Sequence, residues 1–310
     1  MKTEFKFNSN GTFKILQFTD IHYSSDNQLD HGTARLMEQI LKEEKPDFIM
    51  ITGDTVYGPD NINLLSKALA PVTGAGIPWS FTFGNHDTEE GVGYDELFGA
   101  FTNLPNCAAY NADDSIDGMG NHYLEVKDRE GRTKWVLFGV DSGAYNKLPQ
   151  IGGYDYVKDS QIRWFKNMVQ DIEKKEDNFS ALIFMHIALP EYNEVWDTKT
   201  CYGEKREEVC CPKINSGFFT AMQETGHTKA VFVGHDHIND YIGDLYGISL
   251  GYGRATGYNT YGQEGYLRGA RIILLNEDNT DSFQTYIRLE NGTVLKEQKV
   301  HEPENKTEVE

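Results

Sequence analysis

Five of the nine histidines in this 310-residue chain lie in short motifs that also carry carboxylates or stand alone after an apolar run. The motifs are Asp20-Ile-His22, Gly53-Asp54, Gly84-Asn85-His86-Asp87, His186 and Gly234-His235-Asp236-His237. Imidazole and carboxylate together suit Zn²⁺, Mn²⁺ or iron, and the absence of cysteine from the set disfavours a thiolate site. Asp20, His22, Asp54, Asn85, His186, His235 and His237 are too many ligands for one tetrahedral ion. They fit two divalent or trivalent ions that share one carboxylate, the arrangement of a two-metal hydrolase. His86 directly follows a candidate ligand, so its imidazole is placed to act as a general acid. A lone D-x-H or G-D is common and most often structural; it is the joint occurrence that points to a metal centre. The other histidines, His31, His122, His227 and His301, read as surface or hydrogen-bonded residues.

The elements that must position these groups are legible as alternating strands and helices. Phe13–Thr19, Asp47–Thr52 and Trp79–Phe83 read as strands, separated by helices over 30–43 and 61–73. Right-handed crossovers make these three strands parallel. A hairpin over 123–126 and 134–140, a helix over 159–175, a strand at 181–185, a helix over 215–225 and strands at 229–233, 271–275 and 282–287 complete the pattern. Each motif then stands at the C-terminal end of a strand, the edge where open α/β sheets bind ligands. Residues i and i+2 of an extended chain face one side, so Asp20 with His22, and His235 with His237, can each offer a pair. The glycines before Asp54, Asn85 and His235 are expected to let the backbone turn sharply there. The expected fold is α/β, a two-sheet β-sandwich flanked by helices, as one domain over 1–300. Residues 190–213 read as an insertion near the site, and 301–310 as a polar, disordered tail.

The order D-x-H, G-D, G-N-H-D, H, G-H-x-H resembles the calcineurin-like metallophosphoesterases, from about residue 13 to 275. Asp141-Ser-Gly143 with Tyr154-Asp-Tyr-Val, Asn215-Ser-Gly-Phe-Phe219 and Gly234–Asp240 more narrowly resemble the purple-acid-phosphatase-related branch that contains yeast Dcr2-type phosphatases. The resemblance implies a four-layer αββα fold and a phosphoesterase, chiefly of monoesters, with a small diester as the alternative. It also implies that Asp20, His22 and His237 hold one metal and Asn85, His186 and His235 the other, with Asp54 bridging. His86 would protonate the leaving group, oriented by Asp87, while a metal-bridging hydroxide attacks. Purple acid phosphatases themselves carry a tyrosine ligand in G-D-x-x-Y and lack the histidine of D-x-H. This chain has both His22 and, in Gly53-Asp-Thr-Val-Tyr57, the tyrosine. Tyr57 is read as packing beside the site, with ligation the alternative, and the metal (Mn, Zn or Fe) stays open.

In the Gly- and Tyr-rich stretch 251–262, Arg254 is a candidate phosphate grip, and Tyr252 and Tyr258 are candidates to stack on an organic group. The alternative is a surface turn. A net charge of −19 argues against a nucleic-acid partner and leaves a phosphorylated small molecule or phosphoprotein as substrate. No apolar run is long enough to span a membrane. Cys201, Cys210 and Cys211 read as one local disulfide or as free thiols; no C-x-x-C or nearby histidine completes a zinc knuckle. The compartment is left open: the sequence given has no apolar leader, which fits the cytoplasm, whereas four Asn-x-Ser/Thr sites fit an exported chain whose leader was removed.

Overall fold

The structure is a computed structural model and describes residues 4–303. The chain runs β1 (Phe5–Lys6), β2 (Thr12–Phe18), α1 (Gln28–Glu44), β3 (Phe48–Thr52), α2 (Asn61–Ala68), α3 (Ala70–Gly74), β4 (Trp79–Thr82) and α4 (Tyr94–Thr102). It continues with β5 (His122–Lys127), β6 (Thr133–Gly139), α5 (Asp159–Glu173), β7 (Ser180–Phe184), α6 (Glu191–Thr198), β8 (Cys201–Tyr202) and α7 (Phe218–Thr225). The remainder is β: β9 (Thr228–Val233), β10 (Ile242–Leu245), β11 (Ile248–Tyr252), β12 (Gly269–Asn276), β13 (Gln284–Leu289), β14 (Val294–Leu295) and β15 (Val300–His301).

Local chemistry explains the main boundaries. Asn27 caps α1 by accepting from Leu29 N and Asp30 N, and the Asp30 carboxylate accepts from Asn27 N in return. Asp30 also takes the amides of Ser24 and Ser25, which pins the loop leaving the Asp20–His22 motif. The single helix expected over 61–73 is two helices meeting at Leu69, because Pro71 has no N–H to continue the first ladder.

Two sheets form, in the orders β14-β13-β12-β2-β3-β4 and β1-β5-β6-β7-β9-β11-β10-β8-β15. Phe13, Ile15, Phe48, Met50, Trp135, Leu137, Leu182, Phe184 and Phe232 form the core between their facing sides. The outer face of the smaller sheet is covered by α1–α4 and that of the larger by α5–α7, which gives the four layers expected. The five motif-bearing strands therefore do not share one sheet. β2, β3 and β4 lie in one and β7 and β9 in the other, and the site sits where the two sets of C-terminal ends meet.

Buried polar side chains fix that seam. Gln17 Nε2 donates to Thr52 Oγ1 at 2.8 Å and to Val233 O at 3.1 Å, joining both sheets. Arg271, fully buried on β12, donates to Tyr252 O and Asp240 O, both at 2.5 Å, and to Thr285 Oγ1 at 3.1 Å. The stretch expected to be a disordered tail begins as structure: His301 lies in β15 and stacks on Trp196 with ring centroids 3.7 Å apart. Residues 304–310 lie outside the described residues. Arg271→Ala is expected to lower stability by about 3 kcal/mol or more, because its acceptors lose their donor inside the protein. The urea midpoint measures it.

Candidate metal centre

Asp54, fully buried after β3, is at the middle of the site. Its Oδ1 accepts from His86 N at 2.9 Å, whereas Oδ2 makes no hydrogen bond, although His186 Nε2 is 3.1 Å away and His22 Nε2 3.4 Å. On one side, ligand atoms of Asp20, His22, Asp54 and His237 lie within 4.8 Å of one another; on the other, so do those of Asp54, His186 and His235. Asp54 belongs to both groups. Neighbouring groups hold the ligands in position. His186 Nδ1 donates to Thr52 O at 2.8 Å, which turns Nε2 toward Asp54. Asp20 accepts from Thr19 Oγ1 at 2.8 Å and from His235 N at 3.1 Å, and Thr260 Oγ1 contacts His237 Nδ1.

The backbone is forced into this convergence. Asp20, His22, Asp54 and His235 have φ of 53°, 48°, 51° and 76°, in the left-handed region that non-glycine residues rarely adopt. Only four other non-glycine residues share it among the described residues. The glycines act differently from the expectation. Gly53 does need its φ of 82°, but Gly84 and Gly234 are needed for space. A Cβ at Gly84 would stand 2.1 Å from Asp54 Oδ1, and one at Gly234 would stand 1.9 Å from Thr19 Oγ1.

Electrostatics make the cluster a socket for positive charge. Burial opposes ionisation of Asp20, but His237 and His186 outweigh it and hold the carboxyl at about 2. Burial likewise opposes a charge on His186, yet Asp54 and Asp20 push it up to about 10. His235 falls to about 3, through burial and then the nearby His186. Among the described residues no lysine or arginine pairs with Asp20 or Asp54. The buried atoms His22 Nε2, Asp54 Oδ2 and Asn85 Oδ1 lack hydrogen-bond partners. Such groups are costly unless a cation completes them, so the donor set fits two metal ions.

The family described as calcineurin-like phosphoesterase matches residues 13–239. The chain belongs to this family. It is a phosphoesterase, a hydrolase of phosphoric esters. "Probable inactive purple acid phosphatase 14" of Arabidopsis thaliana is 32% identical over an alignment of 334 residues, covering 93% of this chain and 83% of that protein. "Phosphatase DCR2" of Saccharomyces cerevisiae is 31% identical over 262 residues, 74% of this chain but 45% of its own length. These relatives bear out the purple-acid-phosphatase-related resemblance. A dimetal phosphatase from Danio rerio superposes with a TM-score of 0.57 at 12% identity, covering 88% of this chain and 98% of that one, and shares the fold.

Within this phosphoesterase the structure brings all seven candidate ligands and His86 to one place, but it changes several other assignments. Asp87 does not orient His86. Its carboxylate accepts the amides of Gly84, Asp54, Thr55 and Val56 at 2.8–3.0 Å and so ties two ligand loops together. Burial and then the Asp54 charge push it up to about 6. The partner of His86 Nδ1 is Glu89, three residues along a turn and invisible as a motif.

Arg254 is not a phosphate grip. It is buried, bonded to Asp240 Oδ2 at 2.5 Å and stacked on Tyr266. Tyr252 is buried with its hydroxyl on Asp236, and Tyr258 bonds Glu290, so neither is free to stack on a substrate. The aromatic rim is built instead by tyrosines to which the sequence reading gave no substrate contact. Tyr261 covers His237 (4.2 Å between centroids), Tyr154 covers His235 (4.4 Å), and Tyr145 donates to Glu89 while accepting from Asn85 Nδ2. Tyr57 completes it, 36% exposed, with its ring 4.8 Å from that of His86 and 6.1 Å from that of His22. All four cysteines are free thiols. The 190–213 segment reaches the site through Glu207, whose carboxylate takes Ile238 N and Tyr261 Oη.

Asp54→Asn is expected to empty both cation positions, because the carboxylate is common to both groups; metal analysis after dialysis checks this. Asp87→Asn places an amide NH₂ against backbone amides and is expected to lower stability by about 1–3 kcal/mol. Glu89→Gln is expected to leave thermal stability unchanged while reducing turnover, and a melting curve beside a rate assay separates the two.

Proposed function

We propose that Asp20, His22, Asp54 and His237 hold one divalent or trivalent cation, that Asp54, Asn85, His186 and His235 hold a second, and that the enzyme hydrolyses phosphomonoesters. The observation that carries this reading is Asp54, buried between the two donor groups with one oxygen left unpartnered. Cations bound there would neutralise phosphoryl oxygens and make water a nucleophile at neutral pH. Manganese, zinc and iron all fit these donors.

The chain's own residues supply the rest. His86 is the general acid. Its backbone N–H is fixed on Asp54, its Nδ1 on Glu89, and its ring lies 5.2 Å from that of His22, which leaves Nε2 for the oxygen of the departing alcohol. Asn85 is held by Tyr145, so its carbonyl oxygen is free for a cation. The tyrosine rim offers apolar faces to the organic part of the ester, while Glu89 and Glu207 make that rim a poor host for polyanions. Support for a monoester substrate comes from the phosphatases named among the similar proteins. The word "inactive" belongs to the Arabidopsis protein; this chain retains every candidate ligand and His86.

With Mn²⁺ supplied, p-nitrophenyl phosphate is expected to be hydrolysed in preference to bis(p-nitrophenyl) phosphate. His86→Ala is expected to reduce kcat by about 10²–10⁴ with metal content intact. A diester preference would replace the monoesterase reading with a phosphodiesterase on the same centre. Loss of metal from the His86 variant would remove His86 from the role of acid.

A further inference from the structure

A third donor cluster adjoins the centre. The Cys210 thiol, an Asp236 carboxylate oxygen and a ring nitrogen of His235 lie within 4.8 Å of one another. His235 is only 7% exposed, and its two nitrogens have different surroundings. Nδ1 lies 3.3 Å from His186 Nε2, on the side of Asp54, whereas Nε2 is buried without a partner. The nitrogens of an imidazole diverge, so the ring that turns Nδ1 to the phosphoesterase centre leaves Nε2 for the opposite side.

Cys210 is held there by its backbone, whose N–H donates to both Asp236 oxygens at 3.2 and 3.3 Å. Its sulfur lies beside the Asp236 carboxylate and makes a weak contact with Glu208 O at 3.8 Å. The surrounding segment is anchored as well: Glu204 N donates to Asp240 Oδ1 at 2.7 Å and Arg206 N to Asn239 Oδ1 at 2.9 Å. The sequence offered no histidine near Cys210, but the fold supplies His235 from the end of β9.

We propose that Cys210, Asp236 and His235 Nε2 form a site for a soft divalent cation, Zn²⁺ or Cd²⁺, which shares His235 with the phosphoesterase centre. One sulfur, one carboxylate and one imidazole with a water make a tetrahedral set for such ions, and thiolate selects them over Mn²⁺. On binding, the Cys210 S–H bond breaks and, with Nδ1 already holding a cation, so does the His235 Nε2–H bond; sulfur–metal and nitrogen–metal bonds form and both protons leave to solvent. Two dications on one imidazolate repel each other across the ring, which loosens the Mn²⁺ held through Nδ1. Excess Zn²⁺ or Cd²⁺ therefore inhibits the enzyme working with Mn²⁺. The inhibition rests on the assignment of His235 to the second cation; the binding does not.

The test is a Cd²⁺ titration of the full chain in excess Mn²⁺, read by the ultraviolet thiolate-to-cadmium charge-transfer band and by hydrolysis of p-nitrophenyl phosphate. The expected result is a band that Cys211→Ser keeps and Cys210→Ser loses. Cd²⁺ affinity in the Cys210 variant should fall by at least the roughly 10–100-fold that loss of a supporting ligand partner costs. That variant should also keep its Mn²⁺ activity and resist inhibition. No band in the parent chain, or a band that survives in Cys210→Ser, overturns the proposal. Because the band does not depend on turnover, a chain that binds Cd²⁺ but spares monoesters defeats the monoesterase reading alone.

Discussion

The structure turns on two buried carboxylates whose only charge partners among the described residues are imidazoles. Asp20 and Asp54 are buried carboxylates to which no lysine or arginine among the described residues is paired, and four imidazoles face them across a few ångströms. A carboxylate taken out of water costs several kcal/mol unless a counter-charge is brought with it. In the metal-free chain protonated imidazole provides it, and, against burial, Asp54 and Asp20 push His186 up to about 10 for that reason. Cations bound among the same six residues and Asn85 would supply it. The cost of assembling such a cluster is then offset by what it binds.

Assembly has a second cost in the backbone. Four of the seven candidate ligands sit at positive φ, on the order of 1–3 kcal/mol each. The surroundings overdetermine these conformations. Asp87 collects four amides from two ligand loops, Gln17 bridges the two sheets, and the parallel register of β2, β3 and β4 sets the three loops side by side. Gly84 and Gly234 allow the loops to approach within contact distance of Asp54 and Thr19. The two apolar outer layers and the core between the sheets supply the burial that sustains this strain.

Much of this was legible in the chain. The seven candidate ligands and His86 could be singled out because strand periodicity places motifs at strand ends, and metal chemistry restricts which residue types serve. The same periodicity anticipated two sheets with helices outside. What escaped was contact between residues far apart in sequence or hidden in turns. Glu89 beside His86, the tyrosine rim and the Cys210–His235 approach depend on loop conformation, which has no periodic signal. Arg254 was misread for a related reason. An arginine in a Gly- and Tyr-rich stretch looks solvent-facing until the fold buries it on Asp240 and Tyr266. Asp87 follows His86 directly, yet adjacency in a tight turn says little about where a side chain points.

The most direct test of the central claim is anomalous diffraction from crystals soaked in Mn²⁺. The account predicts two peaks, roughly 3.5–4 Å apart, one against Asp20, His22 and His237, the other against Asn85, His186 and His235, with Asp54 contacting both. A single peak, or two that do not share Asp54, would contradict it.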